Sequence, residues 1–161
     1  FCGGIADGRQ LLGVQTGGAS GAIVNADQID VALDIDHVSA SGGRLACGTI
    51  MVYSDKNCIV DVLRNDLDFF REESCGQCTP CREGTYELYR LVTKISEGKG
   101  SVADLNTIHE LCEVMKNTAL CGLGVSATVP TTTCISNFRE AFLAHIDGDH
   151  CSVCNLNGGD N

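Results

Sequence analysis

The chain has 161 residues, a formal net charge of -10 and eleven cysteines. An acidic surface repels phosphate backbones and anionic lipids, and no run approaches the ~20 apolar residues of a spanning helix, so we expect neither a nucleic-acid partner nor membrane insertion. An odd number of cysteines cannot close into a disulfide framework, which indicates a reducing compartment, the cytoplasm or an organelle matrix.

The first part of the chain is rich in glycine and contains three short apolar or β-branched runs. These runs, Leu11 to Val14, Ala22 to Val24 and Thr49 to Tyr53, are bounded by glycine, serine and aspartate, as is typical of strands joined by tight turns. The sequence therefore predicts a small α+β domain over residues 1–57. Because the chain begins with Phe1 rather than Met, we expect it to be part of something longer.

Helical periodicity begins near residue 58. Up to Phe70, apolar residues recur at helical spacing with charged residues on the opposite face. A first helix is therefore predicted to lead to Cys75. A second helix is predicted to begin at the Thr79-Pro80 pair, with Thr79 as its cap, and to end at Gly98.

Two further helices are predicted in the second half of the chain. Ser101 and Asp104 resemble a capping pair, and the stripe that follows them is interpreted as core. "CGLGVSAT", residues 121–128, is interpreted as a loop, and Pro130 is predicted to start a last helix. The expected fold class is thus α+β, a sheet domain followed by a helical bundle over 58–146 and a polar tail over 147–161.

The segment "EESCGQCTPCREG" contains three cysteines, Cys75, Cys78 and Cys81, at two-residue spacing. Thiolates spaced in this way curl around one compact inorganic centre, such as an iron–sulfur cluster. In the bacterial ferredoxin pattern the next cysteine would occupy position 85, which is Thr85 here. Cys121 is the best candidate for the fourth ligand if the two intervening helices form an antiparallel hairpin. Structural zinc on the same four cysteines is the alternative.

"EESCGQCTPCREGT" and "TALCGLG" together resemble the iron–sulfur end of the flavoprotein subunit of NADH:quinone oxidoreductase. The chain resembles more closely the equivalent subunits of NAD(P)-linked multimeric [FeFe]-hydrogenases and formate dehydrogenases. "LLGVQTGGASGAIV" and "TIMVYSDKNCIVDV" are similar to the β-grasp-like soluble-ligand-binding domain of that subunit. Over roughly residues 8–146, the resemblance implies a β-grasp-like domain and one [4Fe-4S] cluster. Its implied ligands are Cys75, Cys78, Cys81 and Cys121.

The chain departs from the family because it has no glycine-rich "GRGGAGF"-type loop for FMN and NAD(H). The resemblance therefore implies that FMN and NAD(P) lie on a partner or on a missing domain. The expected function is a relay of single electrons between a flavoprotein and further iron–sulfur subunits of an oxidoreductase complex. We expect no bond-making catalysis from this chain itself. The alternatives are a zinc-stabilised structural or assembly module and a ligand sensor.

The tail resembles a zinc site of the hydrogenase-type relatives. The resemblance implies zinc as a second cofactor, with the ligands Cys58, His145, Cys151 and Cys154. The two tail cysteines lie closer together than the family pattern implies, so His150 or Cys134 are alternative ligands. The other alternative is that the two tail cysteines bind no metal.

The remaining cysteines and histidines are not predicted to be ligands. Cys112 is expected to be a small buried hydrophobe, and neither Cys2 nor Cys47 is expected to bind a cluster. His37 and His109 are predicted to lie on the surface. Arg82 is expected either to tune the charge near Cys75, Cys78 and Cys81 or to form an ordinary salt bridge with a neighbouring glutamate.

Overall fold

The computed structural model describes residues 3–40, 44–45, 47–148 and 153–154. It consists of a small three-stranded antiparallel sheet followed by a mostly helical remainder, which confirms the predicted α+β class. Among the described residues, no helix combines the length and the apolar character that crossing a lipid bilayer requires.

The sheet is formed by the three segments that the sequence predicts as strands. The strands are β1 (Leu11–Thr16), β2 (Ala22–Asn25) and β3 (Ile50–Ser54), in the order β2-β1-β3. Val14 is paired with Val24 of β2 and with Val52 of β3. Since side chains alternate along a strand, these valines share one face of the sheet, and Gln15 and Ile23 lie on the other, buried face.

Seven α-helices are present in the described part of the chain. They are α1 (Ile35–Ala40), α2 (Ile59–Glu73), α3 (Thr79–Ser96), α4 (Val102–Thr118), α5 (Gly122–Ser126), α6 (Thr128–Asn137) and α7 (Arg139–Ile146). Helix α1 is not predicted by the sequence analysis. Its start is marked by Asp34, whose carboxylate accepts the backbone N–H of His37 at 2.9 Å, a local signal within an otherwise weakly patterned segment.

Helix α3 begins and ends close to the predicted positions, and α4 begins directly after its predicted cap. Cys78, rather than Thr79, occupies the N-cap position of α3. Gly98 adopts a φ of +70°, a conformation that glycine reaches without strain and that ends the helix. Ser101 and Asp104 form a reciprocal capping box at the start of α4, as the sequence predicts.

The prediction for residues 121–146 differs from the structure in three respects. The segment interpreted as a loop contains the short helix α5, and the next helix starts at Thr128, with Pro130 as its third residue. The last helix is also interrupted at Phe138, where φ is -127° and ψ is 32°, so that α6 and α7 are separate. Local propensity misses α5 because two of its five residues are glycines, which are poor helix formers.

The sheet and the helices share one hydrophobic core. Ile23 of β2 belongs to the same buried cluster as the inner faces of α2, α3, α4 and α6. The backbone N–H of Ile23 donates to Thr133 Oγ1 at 3.0 Å, and Asn137 Nδ2 donates to the Ile23 carbonyl at 2.8 Å. The division predicted between residues 57 and 58 falls in the link between β3 and α2, and it stays a prediction.

A buried polar network connects the sheet to α2. Gln15 is fully buried, and its Nε2 donates to Asp66 Oδ2 at 2.7 Å. The hydroxyl of Tyr53 donates to Gln15 Oε1 at 2.7 Å. Burial raises the pKa of Asp66 to about 6, although the hydrogen bond from Gln15 opposes this shift. Asp66 therefore titrates inside the fold at a higher pH than it does in the unfolded chain.

We expect the Asp66→Asn variant to lose part of the pH dependence of stability. An unfolded Asp has a pKa of about 3.9. A native pKa of about 6 therefore changes the free energy of unfolding by ~3 kcal/mol between low and high pH. Because the native pKa is raised, this stabilisation is complete below pH ~4 and is lost as the pH rises through about 6. Between pH 5 and 7.5, the wild-type free energy of unfolding should fall by about 1–2 kcal/mol relative to the variant.

Urea unfolding at several pH values, followed by circular dichroism, measures this difference. Glu110→Gln, at an exposed position of α4, is the matched control and should follow the wild type. Parallel curves for wild type and Asp66→Asn would contradict the role given to the buried carboxyl.

Candidate functional site

Cys75, Cys78 and Cys81, here called the cysteine box, lie in the link between α2 and α3 and in the first turn of α3. Helix α2 ends at Glu73, and Gly76 then turns the backbone with a φ of +73°. Cys78 is the N-cap residue of α3, and Cys81 lies in the first turn of that helix with only 4% of its surface exposed. The three thiols therefore lie around the N-terminal end of α3.

The hairpin of α3 and α4 returns the chain to the same place. At its closed end, Lys94 of α3 pairs with Asp104 of α4 at 2.8 Å. At its open end, Gly84 lies so close to Met115 that a Cβ atom at position 84 would be 2.5 Å from the sulfur of Met115. The helices are therefore antiparallel, as predicted, and α4 ends three residues before Cys121.

Close packing of α5 against α3 brings Cys121 beside the box. Cys121 is the N-cap residue of α5. Two residues into that helix, a Cβ atom at Gly124 would lie 2.8 Å from Ala119 Cβ and 3.0 Å from Cys81 Cβ. Only glycine fits this approach without a shift of one of the elements, so the backbone of α5 is held directly against Cys81.

Backbone N–H groups stabilise a thiolate at Cys78. Hydrogen bonds from the backbone of Leu120, and secondly from that of Cys81, lower the pKa of Cys78. Burial raises the pKa of Cys81, and the hydroxyl of Ser74 acts in the opposite direction. The other cysteines of the site raise the pKa of Cys81 further, because several thiolates in one place repel each other. A positively charged metal ion or metal-containing core bound between the sulfurs would relieve this repulsion.

Arg82 stabilises the turn at Gly76, which lies between Cys75 and Cys78. Its Nη1 donates to the carbonyl of Gly76 at 2.9 Å, and its Nε pairs with Glu83 at 2.8 Å. The predicted salt bridge with a neighbouring glutamate is therefore present. Ser74 Oγ accepts the backbone N–H of Gly76 at 3.3 Å from the other side of the turn.

The site opens to the surface on one side. Cys75 and Cys121 are exposed, Cys78 is half-buried and Cys81 is buried. Leu120, which directly precedes Cys121, is 83% exposed. A centre held by these four residues would be shielded by the protein on the Cys81 side and accessible on the side of Cys75 and Cys121.

A second group of potential ligands lies where the start of α2, the end of α7 and the tail meet. The ligand atoms of Cys58, His145 and Cys154 all lie within 4.8 Å of one another. His145 Nε2 is 3.5 Å from each of the two sulfurs. His145 is fully buried and Cys58 is 7% exposed, so the group lies largely inside the protein.

The tautomer of His145 is set by its backbone contact. His145 Nδ1 lies 2.7 Å from the carbonyl oxygen of Ala141, and a carbonyl can only accept, so Nδ1 carries the proton. The lone pair on Nε2 then faces Cys58 and Cys154, which is the orientation of a metal-ligating imidazole.

Two of the predicted tail residues, His150 and Cys151, lie outside the described residues. The alternative ligand Cys134 is fully buried, with its sulfur 3.8 Å from the carbonyl of Ile59. It does not belong to the group of three ligand atoms.

The predictions that Cys112 is buried and that His37 and His109 lie on the surface are confirmed, whereas the expectation that neither Cys2 nor Cys47 binds a cluster stays a prediction. Cys112 is fully buried in the core, whereas His37 and His109 are exposed. Cys47 is exposed, and Cys2 lies outside the described residues.

Sequence reasoning misses two residues that shape the cysteine site, Ser74 and Gly124. The glycines around Cys121 hint at a close backbone approach. The contact partner of Gly124 is not visible in the sequence, because 42 positions separate it from Cys81.

Comparison with known proteins identifies similar sequences. Residues 61–145 match the family model described as the NADH-ubiquinone oxidoreductase-F iron-sulfur binding region. The chain is 39% identical over 149 residues to the NADP-reducing hydrogenase subunit HndC of Solidesulfovibrio fructosivorans, covering 92% of this chain and 30% of that protein. It is 32% identical over 151 residues to the F subunit of the NADH-quinone oxidoreductase of Mycobacterium tuberculosis, covering 94% of this chain and 34% of that protein.

A similar structure is the crystal structure of an NAD+-reducing [NiFe]-hydrogenase in the H2-reduced state. The match has a TM-score of 0.77 and 28% sequence identity, and it covers 95% of this chain and 28% of that chain. The chain thus spans about a third of the length of the relatives it matches.

We expect Gly124→Ala to disturb the cysteine site. The added methyl group would contact Ala119 and Cys81 at 2.8 and 3.0 Å and push α5 away, at a cost of about 1–3 kcal/mol in stability. Iron bound per chain after anaerobic purification should fall in this variant. Gly122→Ala is the control, because no atom apart from those of its chain neighbours and its own helix backbone lies within 4 Å of a Cβ at that position. Equal iron content in the two variants would contradict the importance of the close approach.

Proposed function

Because this chain belongs to the family of the NADH-ubiquinone oxidoreductase-F iron-sulfur binding region, we propose that it is an electron-transfer module carrying one [4Fe-4S] cluster. Cys75, Cys78, Cys81 and Cys121 would hold the cluster. When bound, such a cluster supplies a centre that accepts and releases one electron at a time.

The spacing of the four cysteines supports a cluster rather than a single ion. Sulfurs around one tetrahedral zinc, with Zn–S bonds of about 2.3 Å, would lie about 3.8 Å apart. Among the described residues, the group of ligand atoms gathered within 4.8 Å is Cys58, His145 and Cys154, and the cysteine box is not gathered so tightly. The observation that carries the proposal is that Cys75, Cys78, Cys81 and Cys121 all lie within residues 61–145, which match the family's iron-sulfur binding region.

The residues around the box suit an anionic iron–thiolate centre. The backbone N–H of Leu120 points at Cys78, and the N-terminal end of α3, with its positive partial charge, begins at the same residue. On the open side, Cys75, Cys121 and the exposed Leu120 leave room for another redox protein to approach.

We propose that the donor and the acceptor lie outside this chain. The relatives are named as subunits of an NADP-reducing hydrogenase and of NADH-quinone oxidoreductase, and the chain spans about a third of each. The sites for FMN and NAD(P) would lie on a partner or on a further part of a longer polypeptide, and other iron–sulfur subunits would exchange electrons with the cluster. The sheet part, residues 1–57, would orient the cluster part, residues 58–146, through their shared core.

We further propose that the tail group binds zinc as a structural ion. Two sulfurs and one imidazole nitrogen within 4.8 Å fit a single tetrahedral ion, and the contact of His145 with Ala141 supplies the expected outer support. Cys151 would complete the set as the fourth ligand. The ion would tie the start of α2 to the end of α7 and to the tail.

The cluster assignment is tested by replacing one box cysteine. We expect Cys78→Ser to lose or convert the cluster, since a serine oxygen is a poor substitute for a thiolate toward iron, while the helices remain folded. Iron and sulfide analysis of anaerobically purified protein, together with EPR after reduction, measures the change. Cys47→Ser, at an exposed cysteine outside the box, is the control.

About four irons and four sulfides in the wild type, and fewer in Cys78→Ser, is the expected result. Zinc as the sole metal of the wild type, even after reconstitution with iron and sulfide, would favour the alternative of a structural or assembly module. Unchanged iron and an unchanged spectrum in Cys78→Ser would remove Cys78 from the ligand set.

The tail assignment is tested separately with His145→Gln. This variant should lose bound zinc and retain iron, because the two groups use different residues. Metal analysis by mass spectrometry gives both values in one sample. His109→Gln, at an exposed histidine of α4, should retain both metals. Full zinc content in His145→Gln would disprove the role of His145 as a ligand.

A further inference from the structure

A hydroxyl group lies next to the most buried sulfur of the cysteine box. Ser74 follows the last residue of α2 and directly precedes Cys75. Its Oγ lies 3.3 Å from the sulfur of Cys81, seven residues further along the chain. Ser74 is partly buried, and Cys81 is 4% exposed.

The direction of this hydrogen bond follows from the chemistry of the two atoms. A cysteine sulfur bound to iron carries no proton, so it can only accept. Ser74 must therefore be the donor. Its oxygen already accepts the backbone N–H of Gly76 at 3.3 Å, which occupies a lone pair and leaves the hydroxyl proton available for Cys81.

The turn around Ser74 is held in place from both sides. The carbonyl of Gly76 accepts a hydrogen bond from Arg82 at 2.9 Å, while the N–H of Gly76 is bound by Ser74. Because both polar groups of the Gly76 backbone are hydrogen-bonded, the turn holds the hydroxyl of Ser74 beside Cys81.

Because Cys81 is buried, a hydrogen bond to its sulfur is electrostatically stronger than one to any of the other three sulfurs. Cys75 and Cys121 are exposed and Cys78 is half-buried, so water competes there for the sulfur lone pairs. At Cys81 the surroundings are less polar, and a hydrogen bond is electrostatically stronger. Among the residues that the structure describes, Ser74 supplies the side-chain hydroxyl within hydrogen-bond distance of a box sulfur.

We propose that the Ser74 hydroxyl sets the reduction potential of the centre by donating a hydrogen bond to Cys81. Reduction adds negative charge that is shared with the sulfurs, and a donor to a sulfur stabilises this reduced state more than the oxidised one. The contact therefore raises the potential and makes the centre a better electron acceptor. Ser74 acts through Cys81 and is a positioning residue, not a ligand. This inference rests on the proposed function.

Two pairs of proteins separate the effect of the hydroxyl from the effect of side-chain size. The first pair is wild type and Ser74→Ala. The second is Ser74→Thr and Ser74→Val, which have nearly the same shape and differ in the hydroxyl. Each protein is purified anaerobically, analysed for iron and sulfide, and titrated with a redox buffer while the EPR signal is recorded. Ser136→Ala, at an exposed serine of α6, is the control.

We expect the member of each pair without the hydroxyl to show a more negative midpoint potential at unchanged iron content, and Ser136→Ala to match the wild type. Equal midpoint potentials within a pair that holds full iron would overturn the proposal. Loss of iron from both Ser74→Ala and Ser74→Val would also overturn it, because Ser74 would then be needed for assembly. Absence of iron from the wild type would refute the proposed function instead.

Discussion

The close contact between Gly124 and Cys81 is the constraint on which the cysteine site depends. Cys121 is remote in sequence from the other three cysteines, and it reaches them because α5 packs with its backbone against α3. This approach requires a residue without a side chain at position 124. It also explains a local inconsistency of the sequence, since a glycine-rich segment with weak helix propensity forms a helix here. Tertiary packing overrides the propensity, as is common at functional sites.

The two sulfur-containing groups differ in exposure and in how closely their ligand atoms lie together. The four cysteines lie at three helix ends, leave one side open to solvent and have backbone donors at Cys78 and a hydroxyl donor at Cys81. The group of Cys58, His145 and Cys154 is tight and mostly buried, and its imidazole is oriented by a backbone carbonyl. Openness suits a centre that exchanges electrons with partners, and closure suits an ion that holds chain segments together. The roles proposed for the two groups follow from this contrast.

The sheet contributes to the site by fixing α2, the helix that leads into the box. Gln15 reaches from β1 to the buried carboxylate of Asp66, and Ile23 of β2 packs into the helical core. A buried carboxylate with a raised pKa is costly when ionised, and its retention within a hydrogen-bonded network fits a role in specifying how the two parts meet. Because α2 runs directly into Ser74 and Cys75, the orientation of the sheet and the geometry of the box are coupled.

The sequence by itself determined the α+β class, the three strands and the capping of α4, and it predicted the residues of both sulfur-containing groups. It could do so because strand periodicity, capping boxes and cysteine spacing are local signals. It missed α1, and it indicated a loop in place of α5 and a single helix starting at Pro130 in place of α6 and α7. Only the tertiary structure decided that Gly124 lies against Cys81 and that Ser74 lies within hydrogen-bond distance of the same sulfur. These contacts join residues whose proximity depends on how the helices pack, and no local pattern in a single sequence encodes packing of that kind.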